Sequence, residues 1–274
     1  MARMGIGGVR GRVVPLLLVV LSGVILPGCR GPSADGPPPE LHVAAASDLF
    51  GAMPELADAF ERRTGVRVVP VLGSSGQLAR QIEQGAPYDL FLSANLDYAR
   101  RLADSGAIDP ATVRPYAVGP LVLAFPATAG TGRSGLGALA DPEVRSIALA
   151  NPDHAPYGKA GKQVLERSGL WDSLESKVVY GQSIRVACRF VESGQADAGL
   201  IARSLADTPG IRWEPIDPAL HDPIEQYLGV VAASDRRQTA LAFCELLLGE
   251  EGRAILRRFG FEGLAGGDRS ASGG

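Results

Sequence analysis

The stretch LHVAAASDLFGAMPELADAFERRTGVRVVPVLGSSGQLARQI, residues 41–82, decides the fold. It opens on a short apolar run, residues 41–45, and passes through Ser47 and Asp48, both good helix N-caps. Beyond them Leu49, Met53, Leu56 and Phe60 recur at helical spacing. Gly65 closes that helix, residues 66–72 read as a second strand, and Gly73-Ser74-Ser75-Gly76 turns the chain into a second helix with Leu78 and Ile82 on its buried side. Strand, helix, strand, helix at this spacing is the pattern of βα units on a mainly parallel sheet.

Working outward, residues 88–93 read as a third strand, and residues 116–125 as another that carries Gly119-Pro120 in its middle, where no helix can run. This break is read as a crossover between two lobes. The theme then repeats: a strand over 147–150, a loop to Tyr157, a helix over 158–168, a strand over 177–180, the turn Gly181-Gln182-Ser183, a helix over 184–193 and a strand over 198–201. Residues 227–232 return to the first lobe, and helices over 238–248 and 250–259 finish it. The expected fold class is α/β: two lobes of mainly parallel sheet flanked by helices, joined by two crossover segments near Gly119 and Gly229. Lobe 1 is assigned residues 41–119 and 229–263, and lobe 2 residues 120–228. The 274 residues suit two domains of roughly 150 residues.

Before Leu41 the chain reads differently. Arg3, Arg10 and Arg12 precede an apolar run over 13–26 that ends in Leu26-Pro27-Gly28-Cys29. A basic segment, an apolar segment and small residues in that order make an export signal over residues 1–28. The run is too short for a membrane-spanning helix of about 20 apolar residues. Leu26 to Cys29 also resembles the bacterial lipobox, in which the Cys is lipidated, so Cys29 is the expected anchor. Residues 29–40, rich in Pro and Gly, are expected to be a flexible tether, and residues 264–274 a disordered tail. Removing the signal takes away three Arg and no acid, so the exported chain is more acidic than the formal charge of -3 of the whole. That balance argues against a nucleic-acid partner. Cys188 and Cys244 have no His or Cys at ligand spacing and read as buried free thiols.

Four strand-to-helix junctions share small or hydroxylic residues: Ala46-Ser47, residues 73–76, residues 155–158 and Gln182-Ser183-Ile184. In open α/β sheets ligands bind outside the carboxyl ends of the strands. Free backbone N–H groups and the positive end of a helix dipole make each junction an anion site, unless the residues merely cap their helices. Asp48 is read as a cap rather than an acceptor near the anion. An enzymatic site is hard to assemble. His42 reads as packed in its strand, His154 beside Asp153 as making a structural hydrogen bond, and no Gly-x-Ser-x-Gly or P-loop lysine is present. No cofactor is called for.

With these junctions in view, the chain from Leu41 to Phe261 resembles the periplasmic molybdate-binding protein (ModA) family, the solute receptors of molybdate ABC importers. The resemblance is carried by residues 44–49, 73–82 and 85–94 in the first lobe, and by residues 151–158 and 194–199 in the second. It implies a two-lobed type II periplasmic-binding-protein fold holding molybdate or tungstate through hydrogen bonds alone. Ser47 and Ser75 match the family's donors from the first lobe, and Tyr157 and Ile184 match positions whose backbone N–H groups contribute from the second. Where many members carry a Tyr hydroxyl this chain has Ala202, so Tyr157, Ser183 or water takes its place, or affinity and selectivity differ. The implied partners are an ABC permease with its ATPase, for a monomeric receptor held to a membrane through Cys29. A receptor for sulfate or phosphate is the alternative.

Overall fold

The apolar run that opens the quoted stretch forms β1 (Glu40–Ala46), buried without interruption from Val43 onward. Continuous burial is what a parallel strand covered on both faces requires, and β1 lies between two parallel neighbours. The computed structural model describes residues 39–129 and 132–264. The expected signal, Cys29, nearly all of the tether and all but the first residue of the tail fall outside the described residues.

The elements that follow β1 are α1 (Ala52–Thr64), β2 (Arg67–Gly73), α2 (Ser75–Glu83), β3 (Leu90–Ser93), α3 (Leu96–Asp104) and β4 (Arg114–Val118). The chain then crosses to β5 (Leu121–Pro126), β6 (Ile147–Ala150), α4 (Pro156–Arg167), α5 (Trp171–Leu174), β7 (Val178–Gly181), α6 (Ile184–Glu192), β8 (Ala198–Ala202) and β9 (Ile211–Pro215). It returns through β10 (Glu225–Val230) to α7 (Arg237–Leu248) and α8 (Glu250–Arg258). The strands make two sheets of five, in the orders β2-β1-β3-β10-β4 and β7-β6-β8-β5-β9. Each has three parallel strands and one strand received from the other lobe: β10 runs antiparallel between β3 and β4, and β5 antiparallel between β8 and β9. The two crossings touch, since Gly119 N–H donates to Ile224 O at 2.9 Å.

Two sequence expectations need correction. The helix does not start at Ser47 or Asp48; a 3-10 turn spans Ser47–Phe50 and α1 begins at Ala52. Pro54 has no N–H for the Phe50 carbonyl and its ring would clash there, so one helix cannot run through both segments. The return crossing is not at Gly229, which pairs with Phe91 inside β10. Pro223 has no N–H to give a ladder, and pairing begins two residues later. Three elements stand outside the sequence reading, one of them the single-turn α5. In α3, Asn95 Oδ1 caps Asp97 N–H at 2.6 Å and Ala99 and Leu102 are buried, a signal readable from the sequence. The third is β9, a short strand at the edge of its sheet.

Leu56, Phe60 and Phe243 pack under one face of the first sheet, with Phe60 and Phe243 edge to face at 5.2 Å between ring centres. Leu78, Phe91 and Leu102 cover the other face. The second lobe has its own core around Leu149, Val164 and Ile201. Cys188 and Cys244 are free and buried in these separate cores.

Gly158 lets the start of α4 settle onto the end of β6, because a Cβ there would overlap Ala150 O. Gly158→Ala should therefore cost about 1–3 kcal/mol, lowering the melting temperature by roughly 2–10 °C in a thermal scan.

Candidate functional site

β1 and β2 end side by side, as do β6 and β7; β1 runs straight into a 3-10 turn, β2 and β7 reach α2 and α6 within three residues, and a loop over residues 151–155 carries β6 into α4. The four junctions surround one narrow cavity, lined by Ser47, Asp48, Ser74, Ser75, Ala94, Tyr157 and Ile184 among others. The cavity has room for no more than one small solute. Among the described residues no Lys or Arg lines it.

Each wall offers donors for a local reason. Ser75 is the first residue of α2 and Ile184 the first of α6, positions where no carbonyl of the helix reaches the N–H. In α4 the first position is Pro156, which has no N–H to leave unpaired, so Tyr157 presents the first one. Ser75 is fully buried, and its Oγ accepts Ala94 N–H at 2.9 Å, which leaves its own O–H free to donate. Ser47 Oγ accepts Arg185 N–H at 3.5 Å across the lobes. The helix dipoles add partial positive charge at these ends. The cavity can thus hold an anion with neutral donors only. Ser47, Ser75, Tyr157 and Ile184 are brought together here.

Asp48 is not a cap. It is completely buried, and its Oδ2 accepts the Tyr157 hydroxyl at 2.9 Å and Gln226 Nε2 at 2.8 Å. No side-chain cap hydrogen bond exists at the turn it occupies. Gln226 Oε1 in turn accepts the Tyr116 hydroxyl at 3.3 Å. Burial pushes the Asp48 carboxyl up to about 6 from 3.8, against the lowering effect of the Tyr157 hydroxyl, nearby backbone N–H groups and the Gln226 amide. Burial and the Asp48 carboxylate raise the Tyr157 phenol well above its ordinary value. Its hydroxyl is engaged by Asp48. Ala202 is buried at the end of β8, outside the lining of the cavity. Ser183 Oγ caps α6 by accepting Val186 N–H at 3.4 Å.

The three histidines stand apart. His154 Nδ1 lies 2.8 Å from Ser74 Oγ and its carbonyl accepts Gly76 N–H at 2.9 Å, both across the lobes. Burial, then Arg80, lowers its pKa. Asp153 beside it is exposed. The His42 ring faces Glu40 at 3.4 Å, and His221 Nδ1 lies 2.8 Å from Asp222 O. Among the described residues no group of three or more His, Cys, Asp or Glu could hold a metal ion. Ser204 Oγ donates to Asp48 O at 2.8 Å, and the Arg185 guanidinium sits 4.2 Å over the Phe50 ring, so the lobes are closed on the cavity. Gln226, Tyr116 and Ser204 escape sequence reasoning, because they carry no motif and become partners only through the crossings.

The sequence pattern of the family described as bacterial extracellular solute-binding protein matches residues 41–262. The chain belongs to the bacterial extracellular solute-binding proteins. The molybdate-binding protein ModA of Rhodobacter capsulatus is 32% identical to it over 248 residues, covering 89% of this chain and 93% of that one. YvgL of Bacillus subtilis, named as a putative ABC transporter substrate-binding lipoprotein, is 32% identical over 225 residues, 81% of this chain and 85% of that one. The solved structure of the Azotobacter vinelandii periplasmic molybdate-binding protein matches with a TM-score of 0.76 at 33% identity, over 81% of this chain and 98% of that chain. This solute-binding protein has the two-lobed type II periplasmic-binding-protein fold. Among its described residues no helix is long and apolar enough to cross a membrane.

The raised pKa of Asp48 fixes a sign. The folded protein binds this proton more tightly than the unfolded chain, so the stabilisation is whole below about pH 4 and is lost as pH rises through about 6. Asp48→Asn removes that dependence. Urea unfolding at pH 4 and pH 7 should show the variant gaining roughly 2–3 kcal/mol on the wild type between the two.

Proposed function

We propose that this solute-binding protein is an extracytoplasmic receptor, not an enzyme, that captures molybdate or tungstate between its lobes and delivers it to the permease and ATPase of an ABC importer. The observation that carries the reading is the cavity itself: hydroxyls and helix-start N–H groups from both lobes converge on it, with no cation among the described residues of its lining. Molybdate and tungstate are tetrahedral dianions that bear no proton at neutral pH, so a cage of donors suits them. Hydrogen phosphate also brings a donor and needs an acceptor; on Asp48, which lines the cavity, Oδ2 is engaged by Tyr157 and Gln226 but Oδ1 is not, so phosphate is the competitor that titration must separate. Sulfate has the same hydrogen-bond character in a smaller ion, so the size of the cage must reject it. The molybdate-binding relatives at 32–33% identity support the choice of ion.

Capture requires the lobes to part, and the bending points in this reading are the two crossings at Gly119-Pro120 and residues 221–224. Ser47 and Ser75 contribute hydroxyls from the first lobe, and Tyr157 and Ile184 contribute backbone N–H groups from the second. The receptor works as a monomer, tethered through a lipid on Cys29, which the lipoprotein name of YvgL supports. Cys29→Ser should move the protein from the membrane to the soluble fraction on cell fractionation; unchanged membrane retention would refute the anchor.

Isothermal titration of the Pro38–Gly274 unit, compact by itself, tests the receptor reading. Molybdate and tungstate should each bind one to one, with sulfate and phosphate silent; heat from another anion alone would discard the ion, and silence from all four the function. Ser75→Ala should weaken molybdate binding by roughly 1–2 kcal/mol, the loss of a hydrogen bond to a charged group.

A further inference from the structure

Donors alone do not explain why Asp48, the residue next to Ser47, places a carboxylate inside the protein. It has no cation among the groups acting on it, only neutral ones: the Tyr157 hydroxyl and the Gln226 amide on Oδ2 and the nearby backbone N–H groups of Asp48 and Leu49, while Oδ1 has no close hydrogen-bond partner. A buried charge so poorly compensated is costly unless it does something. Its partners show what. Tyr157 belongs to the second lobe. Gln226 is the second residue of the strand that returns from that lobe, and Tyr116, which donates to Gln226, stands just ahead of the outgoing crossing. One carboxylate thus ties the ligand-facing turn of the first lobe to the ligand-facing helix of the second and to both crossings.

Gly119 is part of the same arrangement. A Cβ there would overlap the Tyr157 hydroxyl and lie 2.9 Å from Gln226 Nε2, so the crossing is stripped of a side chain where the hydroxyl passes to Asp48. Tyr157 has two separate duties: its backbone N–H faces the cavity and its hydroxyl faces the hinge. Asp48 is bound to the second lobe twice, through its carboxylate and through its carbonyl, which accepts the Ser204 hydroxyl. When the lobes part, the carboxylate loses Tyr157 and gains water. Hydration therefore stabilises the open form, while the hydrogen bonds stabilise the closed one.

We propose that Asp48 is a positioning residue, the latch of the closed form, which through the Tyr157 hydroxyl and Gln226 sets how long the captured oxyanion is held. The proposal rests on the receptor reading above. It assigns Asp48 to release rather than to capture, since the latch forms only after the lobes have met around the ligand.

The test is release of radioactive molybdate from the Pro38–Gly274 unit into excess unlabelled molybdate, with association rates obtained by combining release rates and titrated affinities. Tyr157→Phe keeps the backbone donor and removes the latch bond, so release should accelerate on the order of tenfold or more at an unchanged association rate. In combination with Asp48→Ala it should add nothing further, as coupled residues do. An unchanged release rate, or a lowered melting temperature as the sole effect, would overturn the latch. Should Tyr157→Phe fail to fold, Gly119→Ala decides the matter, because it displaces the hydroxyl and leaves every cage donor in place: faster release supports the latch, equal release refutes it. If the wild type binds no oxyanion, the receptor reading fails by itself. The latch is then judged on the ligand-free protein by hydrogen exchange at the Gly119 amide, which Tyr157→Phe should accelerate; equal exchange would reject it.

Discussion

A helix that starts directly after a parallel strand leaves N–H groups that no carbonyl of its own can reach. Everything distinctive in this molecule follows from gathering four such starts around one point. They require parallel strands that end together, which sets the order β2-β1-β3 in one sheet and β7-β6-β8 in the other. They require small residues at the junctions, since a large side chain at Ala46, Ser75 or Ala155 would fill so narrow a cavity. A dianion brought into such a place loses its water, and only donors that are already oriented replace it without further ordering. Because they belong to the backbone of rigid elements, their direction is set by the fold and not by rotamers.

A cage divided between two bodies works only if the bodies meet in register, and the closing contacts show how that is arranged. Main-chain groups do much of it: Gly76 N–H reaches His154 O, and Asp48 O receives the Ser204 hydroxyl. These are neutral hydrogen bonds, worth about 0.5–1.5 kcal/mol each after exchange with water. Several together hold the lobes closed yet let them part. A buried ion pair between the lobes would have held closure far more rigidly, since separating such a pair costs several kcal/mol. A buried carboxylate with neutral partners is a milder fastening, and its raised pKa records that the burial is only partly compensated.

How much of this is legible in the sequence differs from element to element. The βα rhythm, both lobes and the four junctions can be read because apolar periodicity and Gly/Ser punctuation are local signals. The junction residues Ser47, Ser75, Tyr157 and Ile184 do face one cavity. Asp48 reads as a cap because an acidic residue after a serine at a helix start is locally indistinguishable from one; only Tyr157 and Gln226, 109 and 178 residues away, define its role. The return crossing escapes a local reading for a similar reason. Gly229 looks like a break, but nothing local reveals that β3 and β4 accept residues 225–230 as a strand. The 3-10 turn, by contrast, is readable, since Pro54 forbids the longer helix.

The sheet orders carry one more consequence. In each sheet the strands joined to the crossings lie toward one side, β10 and β4 in the first and β5 in the second, while β2 and β7 form the opposite edges. Bending at the crossings therefore moves the β2 and β7 edges farthest and the Asp48 region least. The contacts differ accordingly. Beyond the β2 edge the lobes are joined by Ser74 and Gly76 with His154, whose ring is only partly buried. Beside the crossings they are joined by Asp48, Tyr157 and Gln226, where water has no access. Contacts far from the bend open by the largest distance for a given angle and are rehydrated at once, so they oppose the start of opening very little. Those near the bend separate slowly with angle and resist over the whole movement. Placing a buried carboxylate at that position keeps its hydrogen bonds intact and water excluded through small rotations, which makes the closed state well defined rather than merely favoured.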